Sequence, residues 1–219
     1  MLNDILSKNQ INFLEKFGKE AVLSHSFYLT GGTSLAAFYL KHRYSEDLDF
    51  FSEREVDILS VDVFLKKYKE ELGINKIDYE QSFNRNLFFL HFQDEILKTE
   101  FTFFPFPRIE EGARNYGIST DSLLDIAVNK LFTIYQRTKA RDFIDLFFIC
   151  QEKKYLVADL IQKAKVKFDW HIDPLQLGVQ FIKVSEAEDW PKMIKPLDRK
   201  DLVEFFVNEA KKMKSQILE

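Results

Sequence analysis

Two kinds of hydrophobic pattern divide the chain into a first part with both helices and strands and a second part with helices alone. In the first part, apolar residues near helical spacing predict helices, as with Ile5, Ile11, Leu14 and Phe17, whereas short apolar runs between turn residues predict strands. The predicted helices cover residues 4–19, 33–41 and 61–72, and the predicted strands cover residues 26–30, 48–51, 76–83, 86–92 and 96–104.

The pattern changes near residue 115, where Gly112 and Gly117 suit a linker. Four later segments have helical periodicity: residues 122–137, 140–151, 156–167 and 201–217. We therefore expect an α+β fold, in which a small mixed β-sheet core with flanking helices (residues 1–115) is followed by a C-terminal helical domain (residues 116–219). A chain of 219 residues is long enough to form a substantial core in either part.

Composition and charge exclude several classes of protein. The formal net charge of −4 excludes a strongly basic nucleic-acid-binding coat, although it allows a local basic patch. A single cysteine, Cys150, excludes an intrachain disulfide and a cysteine-built zinc site, and it fits a reducing cytoplasm. We expect no membrane span, because no run of about 18 apolar residues occurs, and no signal peptide, because the N-terminus lacks an apolar core.

The segment of residues 27–51 carries the most informative motif, FYLTGGTSLAAFYLKHRYSEDLDFF. It predicts a strand, a Gly-Gly-Thr turn, a helix and a second strand that bears Asp47 and Asp49. Because alternate residues of a strand share a face, the two carboxylates point the same way while Leu48 and Phe50 point into the core. Two carboxylates on one face repel each other unless a cation lies between them, and such oxygen ligands suit Mg²⁺ or Mn²⁺.

The Gly-Gly-Thr turn supplies features that suit a phosphate. Gly31 and Gly32 allow the backbone to approach a ligand closely, and the free N–H groups at the helix start favour an anion. A hydroxyl of Thr33 or Ser34 would add another donor. The turn and the next strand could together hold a triphosphate and its metal, which is the apparatus for phosphoryl or nucleotidyl transfer. Each part alone is usually structural, so the interpretation depends on their order.

This order of motifs resembles the core of the polymerase-β-type nucleotidyltransferases. The fuller string, GGTSL followed by HRYSEDLDF, is similar to the AbiEii/AbiGii toxin branch, which typically has Gly-Gly-Thr-x-Leu and then Arg-x-Ser-x-Asp-x-Asp-Phe. The second motif is matched by Arg43, Ser45, Asp47, Asp49 and Phe50. The resemblance implies a bacterial toxin of an abortive-infection or toxin–antitoxin system, with a cognate antitoxin, that transfers a nucleotide from an NTP with a divalent metal.

The resemblance also implies a third carboxylate on a later strand, which would join the metal site and act as general base toward the attacking hydroxyl. Glu100 is the favoured candidate, since it shares a predicted strand face with Thr102, and a glutamate buried alone among phenylalanines would be costly. Asp78, on an earlier predicted strand, is the alternative. Members of the superfamily often have aspartate at this position, so glutamate is a departure from their pattern.

A second cluster lies in residues 125–149, DIAVNKLFTIYQRTKARDFIDLFFI. The same toxin branch carries Lys-Leu-x-Ala-Leu, an arginine and then Arg-Asp-x-x-Asp-Leu, matched here by Lys130, Leu131, Arg137, Arg141, Asp142, Asp145 and Leu146. By this resemblance, Lys130 and Arg43 would offset the charge of the β- and γ-phosphates, and Asp142 would belong to the catalytic set. Physically, a lysine on an otherwise apolar helix could extend toward a triphosphate.

The alternative interpretation of this cluster is structural. Asp142 and Asp145 lie three positions apart on one predicted helix, and therefore on neighbouring surface. Arg137 or Arg141 could pair with Asp145 and lock two helices together. Arg43 could likewise pair with either aspartate instead of a phosphate.

Together these observations predict a metal-dependent nucleotidyltransferase that moves an NMP from an NTP to an acceptor hydroxyl. By resemblance, the acceptor is an RNA, with the acceptor end of tRNA as one choice. Three alternatives stay open: a small-molecule adenylyltransferase of the antibiotic-modifying type, a non-catalytic nucleotide-binding module, and an interaction protein in which Asp-Leu-Asp is only a strand edge.

Overall fold

The computed structural model describes residues 5–217 and the side chains as far as residue 213. Two compact units divide these residues. The first unit contains residues 5–39 together with Ser45–Ser122, and the second contains Leu40–Tyr44 together with the chain from Leu123 onward. The chain therefore enters the second unit briefly before it completes the first.

The first unit is built on a seven-stranded sheet of order β3-β4-β5-β2-β1-β7-β6. Its strands are β1 (Tyr28–Thr30), β2 (Leu48–Ser52), β3 (Lys76–Ser82), β4 (Arg85–His91), β5 (Ile96–Phe103), β6 (Arg114–Asn115) and β7 (Ile118–Thr120). The β2–β5 and β1–β7 pairs are parallel and the other pairs are antiparallel. The helices of this unit are α1 (Lys8–Phe17), α2 (Ala21–Ser26), α3 (Gly31–Leu35) and α4 (Ile58–Leu72). This mixed sheet with its helices confirms the expected fold class.

Local sequence signals explain where α1 begins and where α4 ends. Ser7 and Gln10 form a reciprocal capping box at the start of α1. Residue 4, where the sequence pattern predicts the start of this helix, lies outside the described residues. Gly73 ends α4 in the left-handed conformation, as the sequence predicts. After α3 the chain continues through a π-helical turn, Ala36–Leu40, where the pattern predicts regular helix.

Phenylalanine rings anchor one face of the sheet. Phe50 on β2 stacks on Phe101 of β5 with ring centroids 5.0 Å apart, and Phe17 of α1 lies 4.6 Å from Phe50. All three side chains are fully buried. Because side chains alternate along a strand, this packing directs Asp49 of β2 to the opposite face, and Asp47 directly precedes the strand. The dense aromatic core thus fixes which side of the sheet carries the carboxylates.

The sheet extends beyond the predicted linker. Residues around Gly117 form the hairpin of β6 and β7, and the φ of Gly117 (79°) permits the turn between them. β7 pairs with β1 in the sheet, and the first unit continues to Ser122.

The second unit is helical and has its own aromatic core. Its helices are α5 (Leu123–Gln136), α6 (Ala140–Lys153), α7 (Val157–Phe168), α8 (Pro174–Ile182) and α9 (Arg199–Ile217), and a 3₁₀ turn (Lys183–Glu186) follows α8. Phe206 of α9 packs against Phe143 of α6 and Phe181 of α8, with centroids 5.0 and 5.2 Å apart. Among residues 5–217, no helix has both the length and the apolar composition that a membrane crossing requires.

Candidate functional site

The junction of β1 and α3, where the sequence predicts the Gly-Gly-Thr turn, lies against one aspartate. Gly31, the first residue of α3, has a φ of 75°, in the left-handed region that favours glycine. A Cβ added to Gly31 would lie 2.2 Å from Oδ2 of Asp49, which is too close for any side chain. The carboxylate of Asp49 therefore lies directly against the backbone at the Gly-Gly-Thr turn.

The two hydroxyl residues after the glycines point into the protein. The hydroxyl of Thr33 lies 2.8 Å from that of Ser45 and hydrogen-bonds to the backbone carbonyl of Asp47. It thereby ties the start of α3 to the chain that leads into β2. Ser34 is fully buried, and its hydroxyl has no hydrogen-bond partner within the described residues. The phosphate contacts predicted for Thr33 and Ser34 remain predictions.

Strand register brings three carboxylates to the same region. Asp49 of β2 is paired with Thr30 of β1 on one side and with Glu100 of β5 on the other. Directly paired residues of neighbouring strands point to the same face of a sheet. Asp47 precedes Asp49 by two positions and is about one-third exposed (31%). The candidate site therefore consists of Asp47, Asp49, Glu100 and the Gly31 turn.

Glu100 is almost fully buried and is held by a bidentate arginine. Arg85 of β4 donates from Nε to Oε1 at 2.7 Å and from Nη2 to Oε2 at 2.5 Å, and the hydroxyl of Thr102 donates to Oε1 at 2.8 Å. Burial by itself raises the pKa of Glu100, but the hydrogen bonds from Arg85 and Thr102 outweigh it and leave that pKa below its ordinary value. Glu100 is therefore ionised at neutral pH.

A second basic side chain lies among the same acids. Nζ of Lys98 is 3.0 Å from Oδ2 of Asp47 and 4.0 Å from Oε2 of Glu100. Neither Lys98 nor Arg85 was predicted as a site residue from the sequence. For Lys98 a signal was available, because it precedes Glu100 by two positions on one strand. For Arg85 there was none, because its contact depends on the pairing of β4 with β5.

Asp78, the alternative third carboxylate, has different partners. It lies on the edge strand β3, where it pairs with Lys76 at 2.7 Å and with His91 at 2.8 Å. Its side chain is 41% exposed. The structure thus brings Glu100, and not Asp78, into register with Asp49.

The donor chemistry of the cluster suits a hard divalent cation. Asp47 and Asp49 offer carboxylate oxygens from one strand face, which is the ligand type that Mg²⁺ and Mn²⁺ prefer. Within the described part of the chain, no three carboxylate, imidazole or thiol side chains converge closely enough to hold a metal ion. Both oxygens of Glu100 are engaged by Arg85, so Glu100 can join the aspartates as a ligand only when the guanidinium releases it.

The second predicted cluster forms a buried ion-pair network within the helical unit. Nζ of Lys130 lies 2.7 Å from both Oδ1 of Asp142 and Oδ2 of Asp145. Arg43 binds Asp145 through Nε at 2.7 Å and Nη2 at 2.8 Å, and the imidazole of His42 lies 2.7 Å from the same carboxylate. Four charged residues and one histidine therefore converge between α5, α6 and the segment Leu40–Tyr44.

The opposite charges of this network stabilise one another's ionised forms. Burial disfavours the charged form of Lys130, but Asp142 and Asp145 more than compensate and raise its pKa. Burial likewise acts against ionisation of Asp145, whereas Arg43 and Lys130 hold its pKa well below the ordinary value. The pKa of Asp142 is lowered for the same reason, by Lys130 and Arg137 against the effect of burial.

The structural alternative is confirmed for Arg43, for which it allowed a pair with Asp145, but it assigned Arg137 to the wrong aspartate. Asp145 is bound by Arg43, whereas Arg137 binds Asp142 at 3.0 Å. Helix spacing placed Asp142 and Asp145 on neighbouring surface but did not specify which arginine each would bind. The roles that the family resemblance implies for Lys130, Arg43 and Asp142 at a triphosphate remain predictions.

Two solved structures share the fold of this chain. The chain is similar to JHP933 from Helicobacter pylori, with 20% identity, a TM-score of 0.61 and coverage of 95% of this chain and 90% of that one. It is also similar to a candidate nucleotidyltransferase from H. pylori, with 21% identity, a TM-score of 0.61 and coverage of 98% and 99%. The fold is that of the nucleotidyltransferases.

Sequence comparison then identifies the family. Residues 13–214 match the model of the nucleotidyl transferase AbiEii toxin family of type IV toxin–antitoxin systems, and the chain belongs to this family. An uncharacterised protein of Aquifex aeolicus (strain VF5), aq_aa25, is 30% identical over 167 residues, which are 74% of this chain and 76% of the relative. The chain is thus a nucleotidyltransferase, and the resemblance seen in its motifs is confirmed.

Proposed function

We propose that this toxin-family enzyme transfers a nucleoside monophosphate from an NTP to a hydroxyl of RNA, with the acceptor end of tRNA as the first candidate. The observation that carries the proposal is the contact between Asp49 and the Gly31 turn, beside Asp47 and Glu100. This arrangement supports the proposal, because backbone suited to an anion and carboxylates suited to a cation lie in one region, as nucleotidyl transfer requires.

Each residue of the candidate site has a proposed role. Backbone N–H groups at Gly31 and Gly32 bind the triphosphate, while Asp47 and Asp49 hold Mg²⁺ or Mn²⁺. The bound cation supplies neutralisation of the phosphate charge and orientation of the α-phosphate. Glu100 orients the acceptor hydroxyl and accepts its proton. The acceptor oxygen then forms a bond to the α-phosphorus, the α–β phosphoanhydride bond breaks, and pyrophosphate leaves.

An RNA-labelling reaction tests this function. The purified protein is incubated with total cellular RNA, Mg²⁺ and each of the four NTPs in turn, labelled at the α-phosphate. The matched control is the double variant Asp47→Asn/Asp49→Asn, which keeps the size of both side chains but removes their charge. We expect label in RNA with the wild type and none with the double variant.

The alternatives give different results in the same experiment. A small-molecule transferase would leave the RNA unlabelled and produce a labelled compound from a cell extract. A nucleotide-binding module would retain the NTP without releasing pyrophosphate. Either result, with correctly folded protein, contradicts transfer to RNA.

The family supports a biological extension of the proposal. Because the family consists of toxins of type IV toxin–antitoxin systems, we propose that the transfer reaction arrests growth in the cytoplasm, where NTPs and RNA occur, and that a cognate antitoxin opposes it. Induced expression in a bacterial host should stop growth with the wild type but not with Asp49→Asn. Growth arrest by both proteins at equal abundance would contradict this extension.

A further inference from the structure

The candidate site contains two basic side chains that the proposed reaction does not use. Three carboxylates, those of Asp47, Asp49 and Glu100, share the region with the ammonium of Lys98 and the guanidinium of Arg85. With all five groups ionised, the cluster carries one net negative charge. A single divalent cation in place of the two basic groups leaves the same net charge.

The acids and the bases of this cluster differ in freedom to move. The side chain of Glu100 is only 6% exposed, and it is fixed by Thr102 as well as by Arg85. By contrast, the side chain of Arg85 is 46% exposed and that of Lys98 is 25% exposed. Both are long side chains on paired strands, so their charged ends can swing while the backbone stays in place. Glu100 cannot follow them.

Their contacts also mark them as competitors of a metal. Arg85 engages both oxygens of Glu100, and Lys98 engages one oxygen of Asp47. These are oxygens that a divalent cation would need as ligands. The same two groups, an arginine fork and a lysine ammonium, are the side chains that proteins commonly use to bind phosphate oxygens.

We propose that Arg85 and Lys98 are exchange cations: they neutralise Glu100 and Asp47 in the free enzyme and transfer to the polyphosphate when metal and NTP bind. This inference rests on the proposed function and adds two positioning residues to it. Without substrate, the basic groups weaken metal binding. With substrate, they add affinity for the triphosphate.

The test measures metal binding without catalysis. Mn²⁺ is titrated into NTP-free protein, and the free ion is followed by electron paramagnetic resonance. The proteins are the wild type, Arg85→Gln, Lys98→Gln and the control Lys76→Gln, whose lysine is paired with Asp78 outside the cluster. We expect Arg85→Gln and Lys98→Gln to bind Mn²⁺ more tightly by on the order of tenfold, because each loses a nearby positive charge. Lys76→Gln should match the wild type.

A second measurement distinguishes transfer of Arg85 and Lys98 to the polyphosphate from the simple loss of a positive charge near the metal. In the presence of saturating Mn²⁺, both site variants should bind a non-hydrolysable NTP analogue several-fold more weakly than the wild type. A purely structural role predicts a lower melting temperature for the variants, with Mn²⁺ affinity unchanged or reduced. Unchanged or weaker Mn²⁺ binding in folded Arg85→Gln and Lys98→Gln therefore overturns the proposal.

The double variant Asp47→Asn/Asp49→Asn distinguishes this failure from failure of the proposed function. If the wild type binds Mn²⁺ and the double variant does not, the proposed metal site is supported. The glutamine variants then test only the exchange role of Arg85 and Lys98. If neither the wild type nor the two glutamine variants bind Mn²⁺ more tightly than the double variant, the metal site of the proposed function is wrong and the exchange falls with it.

Discussion

At Gly31, the backbone angle and the contact with Asp49 are separate constraints that both exclude a side chain. Gly73, at the end of α4, has the same φ of 75°, but a Cβ added there would meet no atom within 4 Å. The two glycines therefore share an unusual φ, but of the two only Gly31 lies against a carboxylate. Comparison of their alanine variants estimates how much the contact with Asp49 adds to the free-energy cost of a side chain at Gly31.

We expect Gly73→Ala to reduce the free energy of unfolding by about 1–2 kcal/mol, because alanine is strained at this backbone angle. Gly31→Ala should cost about 1–3 kcal/mol more, because the added methyl group collides with Asp49. Urea unfolding measures both effects. The double variant Gly31→Ala/Asp49→Gly should recover the additional cost while lacking transferase activity. Equal effects of the two single variants would show that the contact with Asp49 is not a constraint.

Phe83, in the turn between β3 and β4, also has an uncommon backbone angle. Its φ is 53° and its side chain is 97% exposed, so strain at this residue is not offset by burial of the ring. Phe83→Gly should raise the free energy of unfolding by about 0.5–1 kcal/mol, whereas Phe83→Ala should bring no such gain. Thermal unfolding of both variants provides the measurement. An equal gain from alanine would assign the cost to the exposed ring instead.

At the scale of elements, the ion-pair network joins α5, α6 and the segment Leu40–Tyr44. The pKa of Asp145 is depressed far below its ordinary value of 3.8, because Arg43 and Lys130 outweigh burial. A carboxylate with a depressed pKa stabilises the folded state at pH values above its unfolded pKa. This stabilisation is lost as the pH falls below 3.8 through the lower pKa of the folded protein. The network should therefore make the protein sensitive to acid.

Asp145→Asn tests this expectation. Removal of one partner from a buried ion pair leaves uncompensated charge, so the variant should lose about 3–5 kcal/mol of stability at pH 7. Its remaining stability should decline less steeply than that of the wild type as the pH falls through the acid range. Denaturant unfolding from pH 7 to pH 2 gives both quantities, because this range extends well below 3.8. Asp78→Asn, at an exposed pair, is the control and should have only a small effect, while parallel pH profiles for Asp145→Asn and the wild type would contradict the assignment.

Most long elements were predictable from the sequence, whereas several short ones were not. Helices α4 to α7 and strands β3 to β5 each lie within a few residues of their predicted bounds, because each has several periodic positions. The six-residue α2 and the two- and three-residue strands β6 and β7 are too short to show a period. No single segment of sequence specifies how two strands pair. Asp47 and Asp49 could therefore be proposed from alternation, and Glu100 with the help of the family resemblance, whereas Arg85 could not be proposed.

At the scale of the whole molecule, each unit has its own core, and Cys150 lies within that of the helical unit. Burial raises the pKa of this thiol to about 12, so almost no thiolate exists at neutral pH. Cys150 should therefore remain unmodified by a thiol reagent at pH 8 in the native protein and react fully in denaturant. Rapid modification of the native protein would show that the helical unit opens locally, without global unfolding.

The excursion of Leu40–Tyr44 into the helical unit has a consequence for any attempt to divide the gene. A fragment that stops at Ser122 would carry the cationic Arg43 away from Asp145, and the complementary fragment would retain that aspartate without its guanidinium. Neither fragment would contain the complete ion-pair network. A single crossover near residue 122 should therefore give a functional chimera only where both parents supply this arginine–aspartate pair.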